Sequence, residues 1–255
     1  MSTGVLANGE LMQTYADKFM DIYCKDKNSR YRSYDYIHSF YLAKRSDNRN
    51  KTLDKVALRL FAFLGSWGML CRGAFLMQKD YRFLIPVIKI LNKTDYKELC
   101  NVDLFSFDIE AYIRKVIDLK KELNDYFIDK TYYNLKGPYR INKNSKDKNK
   151  KVHDTVIGKI LMATLGCIPA YDEYVVDGMK NEKLCATLGK RSLKKLVNYS
   201  RDHKEALEKI MGSVNEKVHI ESGNKELNYP VAKILDMIFW EYGYKLKRNA
   251  AAFFY

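Results

Sequence analysis

SFDIEAYIRKVIDLKKELNDYF, residues 106–127, decides the class of fold. Phe107, Ile109, Tyr112, Ile113, Val116, Ile117, Leu119 and Leu123 recur three and four positions apart, which puts one apolar stripe on an α-helix and leaves the opposite face polar. Asp108, near its start, suits the positive end of the helix dipole. Working outward, residues 9–24 repeat the pattern with Leu11, Met12, Tyr15, Phe19, Ile22 and Tyr23, and the tyrosine-dense 31–41 continues as a second helix. RSDNRNK, 45–51, is a polar loop, after which Thr52 or Asp54 caps a long segment at 53–77. Gly65, Gly68 and Gly73 predict a kink there, or a broken pair of helices. Further helices are predicted at 84–91, 153–165, 170–179, 181–188, 192–211 and 231–242, the last with Pro230 before its first turn.

No repeat and no βαβ alternation interrupts this series, which argues against Rossmann and TIM architectures. Four prolines and thirteen glycines leave little room for the turns of an all-β design. At 255 residues the chain is near the upper limit for one core. The expectation is an all-α fold, a compact multi-helix domain of two lobes with a cleft between them. The lobes are 1–135 and 155–255, divided by a basic loop at 136–154. That loop opens on Gly137-Pro138 and runs into INKNSKDKNKK, 141–151, with one apolar residue in eleven.

The formal charge is +14, from 45 Lys and Arg against 31 Asp and Glu. Residues 136–151 carry seven basic side chains and one acid, and residues 183–204 again carry seven and one, so the two stretches hold most of the excess. A localised cationic surface points to a polyanion, and nucleic acid, DNA first, is the expected partner. Arg140, Lys143, Lys146, Lys148, Lys150 and Lys151 are the expected phosphate contacts, which position a protein without reading sequence. The blander reading is a merely solvated loop on a lysine-rich surface.

Other classes find little footing. The five cysteines form no CxxC pair, and Cys71, Cys167 and Cys185 sit in apolar settings as small hydrophobes. The four histidines are scattered, so no metal and no cofactor is expected. The most apolar run, LFAFLGSWGMLC at 60–71, is bounded by Arg59 and Arg72 and is shorter than the ~20 residues a bilayer needs. Residues 1–10 lack the basic start and apolar core of a signal peptide, so a cytoplasmic chain with no membrane partner is expected. Walker, GxSxG and HExxH motifs are absent.

One stretch carries a functional expectation: TVIGKILMATLGCIPAYDEYVVDGMK, 155–180. A helix ends at Leu165-Gly166, a short connection holds Pro169, and Asp172 opens the next helix with Val175 three residues on. This stretch resembles the central segment of the helix-hairpin-helix DNA glycosylase superfamily, and the resemblance covers about a tenth of the chain. It implies that Asp172 is the catalytic aspartate of a monofunctional N-glycosylase. Where the family has a glycine-rich phosphate-binding turn this chain has Lys150-Lys151-Val152-His153-Asp154. The lysine of the family's bifunctional members has no aligned counterpart; Lys150 and Lys151 are nearby. The chemistry suits the residue types. An enzyme acting on a base extrudes it and grips it between aromatic or apolar walls, and a carboxylate beside the sugar stabilises the positive charge that develops as the N-glycosidic bond breaks. Trp67, Tyr171 and Tyr174 are the candidate walls, and Arg72, directly after the apolar run, needs a carboxylate or a phosphate. The structural alternatives are a helix cap for Asp172 and a core position for Trp67.

Three readings therefore stand. The chain is a divergent glycosylase-like enzyme of DNA repair or phage defence, a non-catalytic nucleic-acid-binding component of a mobile element or phage conflict, or a helical protein that meets an acidic protein partner.

Overall fold

The computed structural model describes residues 6, 9–71, 74–132, 154–185 and 187–252, and every regular element among them is helical. The α-helices are α1 (Gly9–Lys25), α2 (Ser33–Lys44), α3 (Asn50–Ser66), α4 (Ile85–Leu91), α5 (Ile109–Tyr132), α6 (Asp154–Leu165), α7 (Glu173–Asn181), α8 (Lys190–Asp202), α9 (Lys204–Ser222) and α10 (Val231–Ala252). Short 3-10 turns join α1 to α2, α3 to α4, and α4 to α5. The all-α expectation holds.

The axis of the molecule is α6. Its residues from Val156 to Leu165 are all buried, and so is the connection 166–170 that follows. A helix that is apolar on every side has no solvent face to offer and must lie inside. Helices α2, α3 and α5 pack on it, while α1 reaches across to α9 and α10. The two expected lobes, 1–135 and 155–255, thus contribute helices to one common core. Of the basic loop 136–154, only Asp154 lies among the described residues.

α7, nine residues long, is too short to persist alone and is held by α10, its most extensive neighbour. The two backbones approach closely because both helices offer a glycine at the crossing. A Cβ on Gly178 would be driven into the Phe239 carbonyl oxygen, and one on Gly243 into that of Tyr174.

The boundaries differ from expectation in several places, and α10 runs on to Ala252, well past the predicted end at 242. The segment 53–77 is α-helical to Ser66 and breaks at Gly68, φ 77°, as its glycines predicted, with Phe75–Gln78 returning only as a 3-10 turn. The predicted helix 181–188 is not formed by its described residues: α7 ends at Asn181, and Lys183 takes a left-handed φ of 59°. The predicted helix 192–211 is two helices that break at His203, whose Nδ1 lies 2.9 Å from the Tyr199 carbonyl and competes locally with the helical pattern. α3 begins before Thr52, and its entry is organised by Asp47, which accepts from the Arg49 N–H at 3.1 Å and from the Thr52 hydroxyl at 2.7 Å. Cys167 is buried as expected, Cys185 half-buried, but Cys71 is exposed. Among the described residues no helix is long and apolar enough to cross a membrane.

The glycine crossing makes a stability prediction. Gly243→Ala should cost about 3 kcal/mol by overpacking the α7–α10 contact. Gly212→Ala, on α9 with open space around its Cα, should gain up to about 1 kcal/mol from helix propensity. Urea denaturation of the two variants reads both, and equal stabilities would refute the close-approach account.

Candidate functional site

In the buried stretch of α6, Val156–Leu165, Lys159 is the one charged side chain. Lys159 is buried, its side chain 3% exposed, and a charge in such a place needs a partner. It finds one in Asp172, whose Oδ2 lies 2.7 Å from Lys159 Nζ. The other oxygen, Oδ1, accepts from the Val175 N–H at 3.1 Å, so Asp172 is also the N-cap of α7. One carboxylate therefore ties the middle of α6 to the start of α7. The residue before it, Tyr171, sits in the left-handed region at φ 51°, uncommon for an aromatic side chain. That conformation is held from two sides: the Tyr171 carbonyl accepts from the Thr155 hydroxyl at 3.2 Å, and its phenol shares a 2.7 Å hydrogen bond with Ser192 on α8. Tyr171 is fully buried and points toward α8, so it does not join the rings that wall the pair.

Those rings come from elsewhere. Lys159 Nζ stands 5.1 Å from the Trp67 ring centre, a cation–π contact. Trp67 is half-buried and donates from Nε1 to Ser33 Oγ at 3.0 Å. Trp240 meets it edge-on at 6.0 Å, and Tyr31 approaches both, at 5.6 and 5.8 Å. Tyr174 packs edge-on against Trp240 at 5.3 Å, and Tyr244 stacks on Trp240 at 5.5 Å. Cations lie over this band from outside: the Arg30 guanidinium is 4.9 Å from Trp67, and Lys247 is 5.4 Å from Tyr174. Trp67 and Tyr174, both expected from the sequence, are thus brought together beside the Lys159–Asp172 pair. Arg72 lies outside the described residues, as do Arg140, Lys143, Lys146, Lys148, Lys150 and Lys151.

Three chain segments converge on this place. Asp154, three residues after Lys151 in sequence, accepts from the Leu188 N–H at 2.8 Å and pairs with Lys120 at 2.6 Å. Leu188 immediately precedes Gly189, the N-cap of α8, whose first two turns expose Lys190, Arg191 and Lys194. Since Thr155 and Ser192 both bond Tyr171, the start of α6, the start of α8 and the strained residue before Asp172 form one junction. Lys194 pairs with Glu110 at 3.6 Å, and further along α8 Lys195 donates to the Lys183 carbonyl at 2.6 Å and Arg201 to the Phe107 carbonyl at 2.7 Å.

Sequence reasoning missed Lys159, Trp240 and Arg30. Lys159 did leave a signal, a single charge inside VIGKILMATL that no solvent-facing stripe accounts for. Trp240 and Arg30 left none, because their place depends on how α10 and the turn at Arg30–Arg32 pack. Among the described residues no cluster of three or more metal-ligating side chains occurs. No family model, curated protein or solved structure matches this chain.

Two changes at Asp172 separate its bonds. Asp172→Asn keeps a capping oxygen but leaves Lys159 buried without a counter-charge, which should cost about 3 kcal/mol. Asp172→Ala also removes the cap and should cost about 1 kcal/mol more. Urea melts of parent and variants measure both, and a near-neutral Asp172→Asn would mean that the buried pair contributes little.

Proposed function

We propose that this chain is a nucleic-acid-binding protein of the DNA glycosylase type, which removes a base from DNA in the cytoplasm with Asp172 as its catalytic carboxylate. The observation that carries the reading is the position of the Lys159–Asp172 pair, beside a band of aromatic rings and one residue after Tyr171, whose phenol joins it to the start of α8. An extruded base needs flat apolar walls, and Trp67 and Tyr174 offer them, with stacking of about 1–3 kcal/mol per base. Lys190, Arg191 and Lys194 supply phosphate contacts that hold the strand without reading it. Hydrolysis then breaks the bond between the sugar C1′ and the base nitrogen, and the electron pair leaves with the base, which takes up a proton. Water adds to C1′ and gives its own proton to Asp172, whose negative charge also offsets the positive charge on the sugar. Lys159, 3% exposed and 2.7 Å from Asp172, serves as the counter-charge to this carboxylate, in keeping with a monofunctional enzyme.

A second reading has a specific observation behind it. Both oxygens of Asp172 are already engaged, one capping α7 and the other pairing Lys159, which is what a purely structural aspartate does. On that reading the protein binds nucleic acid without cutting it.

Duplex affinity should fall steeply with salt, with a log–log slope of several units at about 0.9 per phosphate neutralised. Lys190→Glu with Arg191→Glu should lower that slope by about two. Asp172→Asn should keep binding while abolishing base release from damaged or mismatched duplexes. Binding without base release from any substrate would favour the second reading, and a flat salt response would remove both in favour of an acidic protein partner.

A further inference from the structure

Helices α1 and α10 pack together, and their outer faces flank an open cavity of about 520 Å³, well within the range of small-molecule sites. Helical spacing builds it. Lys18 and Ile22 are one turn apart on α1, while Glu241, Tyr244, Lys245 and Arg248 lie along one face of α10. Four features of this lining bear on what it holds. Glu241 is buried, 7% exposed, and its Oε1 has no hydrogen-bond partner. Burial pushes its carboxyl up to about 7, and Lys18 opposes that only in part. Tyr244 and Ile22 present apolar surface to solvent, at 36% and 41% exposure. Lys18, Lys245 and Arg248 together outweigh Asp21, the other acid of the lining.

A buried acceptor without a donor costs about 1–3 kcal/mol unless something supplies the missing hydrogen bond. Whatever binds here therefore brings N–H or O–H donors to Glu241. It also has a flat apolar body for Tyr244 and Ile22, and an anionic end for the three cations. A carboxylate is an acceptor only, with two oxygens side by side, and matches two parallel donors. Among nucleobases, guanine carries such an edge in its ring N–H and its amino group, whereas adenine alternates an acceptor with a donor.

We infer that the α1–α10 cavity is a binding site for a phosphorylated guanine, with Glu241 on the donor edge of the base, Tyr244 and Ile22 against its face, and Lys18, Lys245 and Arg248 on the phosphate. The site is separate from the Lys159–Asp172 pair and does not depend on the base-excision reading. Tyr244 belongs to both, since its ring lines the cavity and stacks on Trp240 at 5.5 Å. Occupancy is therefore readable in tryptophan fluorescence.

The test is a titration of the full chain with guanosine 5′-monophosphate at pH 8, where the Glu241 carboxyl is largely ionised. Adenosine 5′-monophosphate and inorganic phosphate are titrated in parallel. The guanine nucleotide should bind at least tenfold more tightly than either. Glu241→Gln should lose at least tenfold in that affinity while keeping the parent's far-UV circular dichroism. Arg248→Glu, an exposed change, should lose affinity for the nucleotide without loss of fold. Competition by an oligonucleotide with a 5′-phosphorylated guanine end would assign the occupant to a strand end, and failure to compete would assign it to the free nucleotide; each is a form of the site inferred here. Equal binding of phosphate or the adenine nucleotide, unchanged affinity in Glu241→Gln, or no binding at all would overturn it.

Discussion

The buried ion pair between Lys159 and Asp172 is the constraint on which this structure turns. Two charges taken from water are costly, and the cost is offset only where geometry is close and the remaining lone pairs are used. Here they are used: the lysine lies over Trp67, and the aspartate accepts from a backbone N–H as well as from the lysine. The pair therefore fixes more than two side chains. It sets how far along α6 the chain returns to begin α7, and so where α7 meets α10.

The same connection is held two residues earlier, at Ala170, by a second pair of the same kind. Lys233 and Asp236 on α10 lie 3.0 Å apart and are almost wholly buried, and Asp236 accepts from the Ala170 N–H at 2.8 Å. The lysine is flanked by the rings of Phe19 and Tyr34, at 4.8 and 5.0 Å. The residues between α6 and α7 are thus clamped between two buried lysine–aspartate pairs. Such a clamp explains how Tyr171 keeps a left-handed backbone, a conformation costing about 1–2 kcal/mol for a non-glycine residue. Backbone strain of this kind persists only where the surroundings over-determine it, and it marks functional positions more often than chance. The neighbour it positions is Asp172.

How much of this was legible in the chain follows from the physics of each signal. Amphipathic periodicity is local, so α1, α5 and the start of α10 could be read directly from residue spacing. Asp172 was legible as a capping acid after Pro169, because a cap is also a local event. The break at His203 was not: no glycine or proline marks it, and the competing bond to the Tyr199 carbonyl exists only once the helix has formed. The loop at 181–188 has helix-compatible residues and a tertiary reason for its path, the Lys120 and Asp154 bonds that hold Leu188. Lys159 and Lys233 share one signature, a lone lysine inside an apolar run, which says that a counter-charge exists but not where. The partner of Lys159 lies 13 residues away in sequence and that of Lys233 only three, so spacing alone does not decide it.

The aromatic band gives the lone lysine a second meaning. Trp67, Trp240, Tyr31, Tyr174 and Tyr244 form a continuous apolar cover that reaches from the Lys159–Asp172 pair to the cavity at Glu241. Rings exclude water without offering hydrogen bonds, so the charges beneath them interact through a medium of lower dielectric than solvent. Burial raises the Glu241 carboxyl to about 7 against the pull of Lys18, and burial first, with the Glu241 carboxylate second, pushes the Tyr31 phenol up to about 12. Arg30 and Lys247 lie over these rings from the solvent side, while Lys190, Arg191 and Lys194 are exposed at the start of α8. The positive charge read from the sequence as a property of two lysine-rich stretches is therefore, in the described residues, also a property of the aromatic surface. That combination of flat rings and fixed cations can hold a base and its phosphate at once.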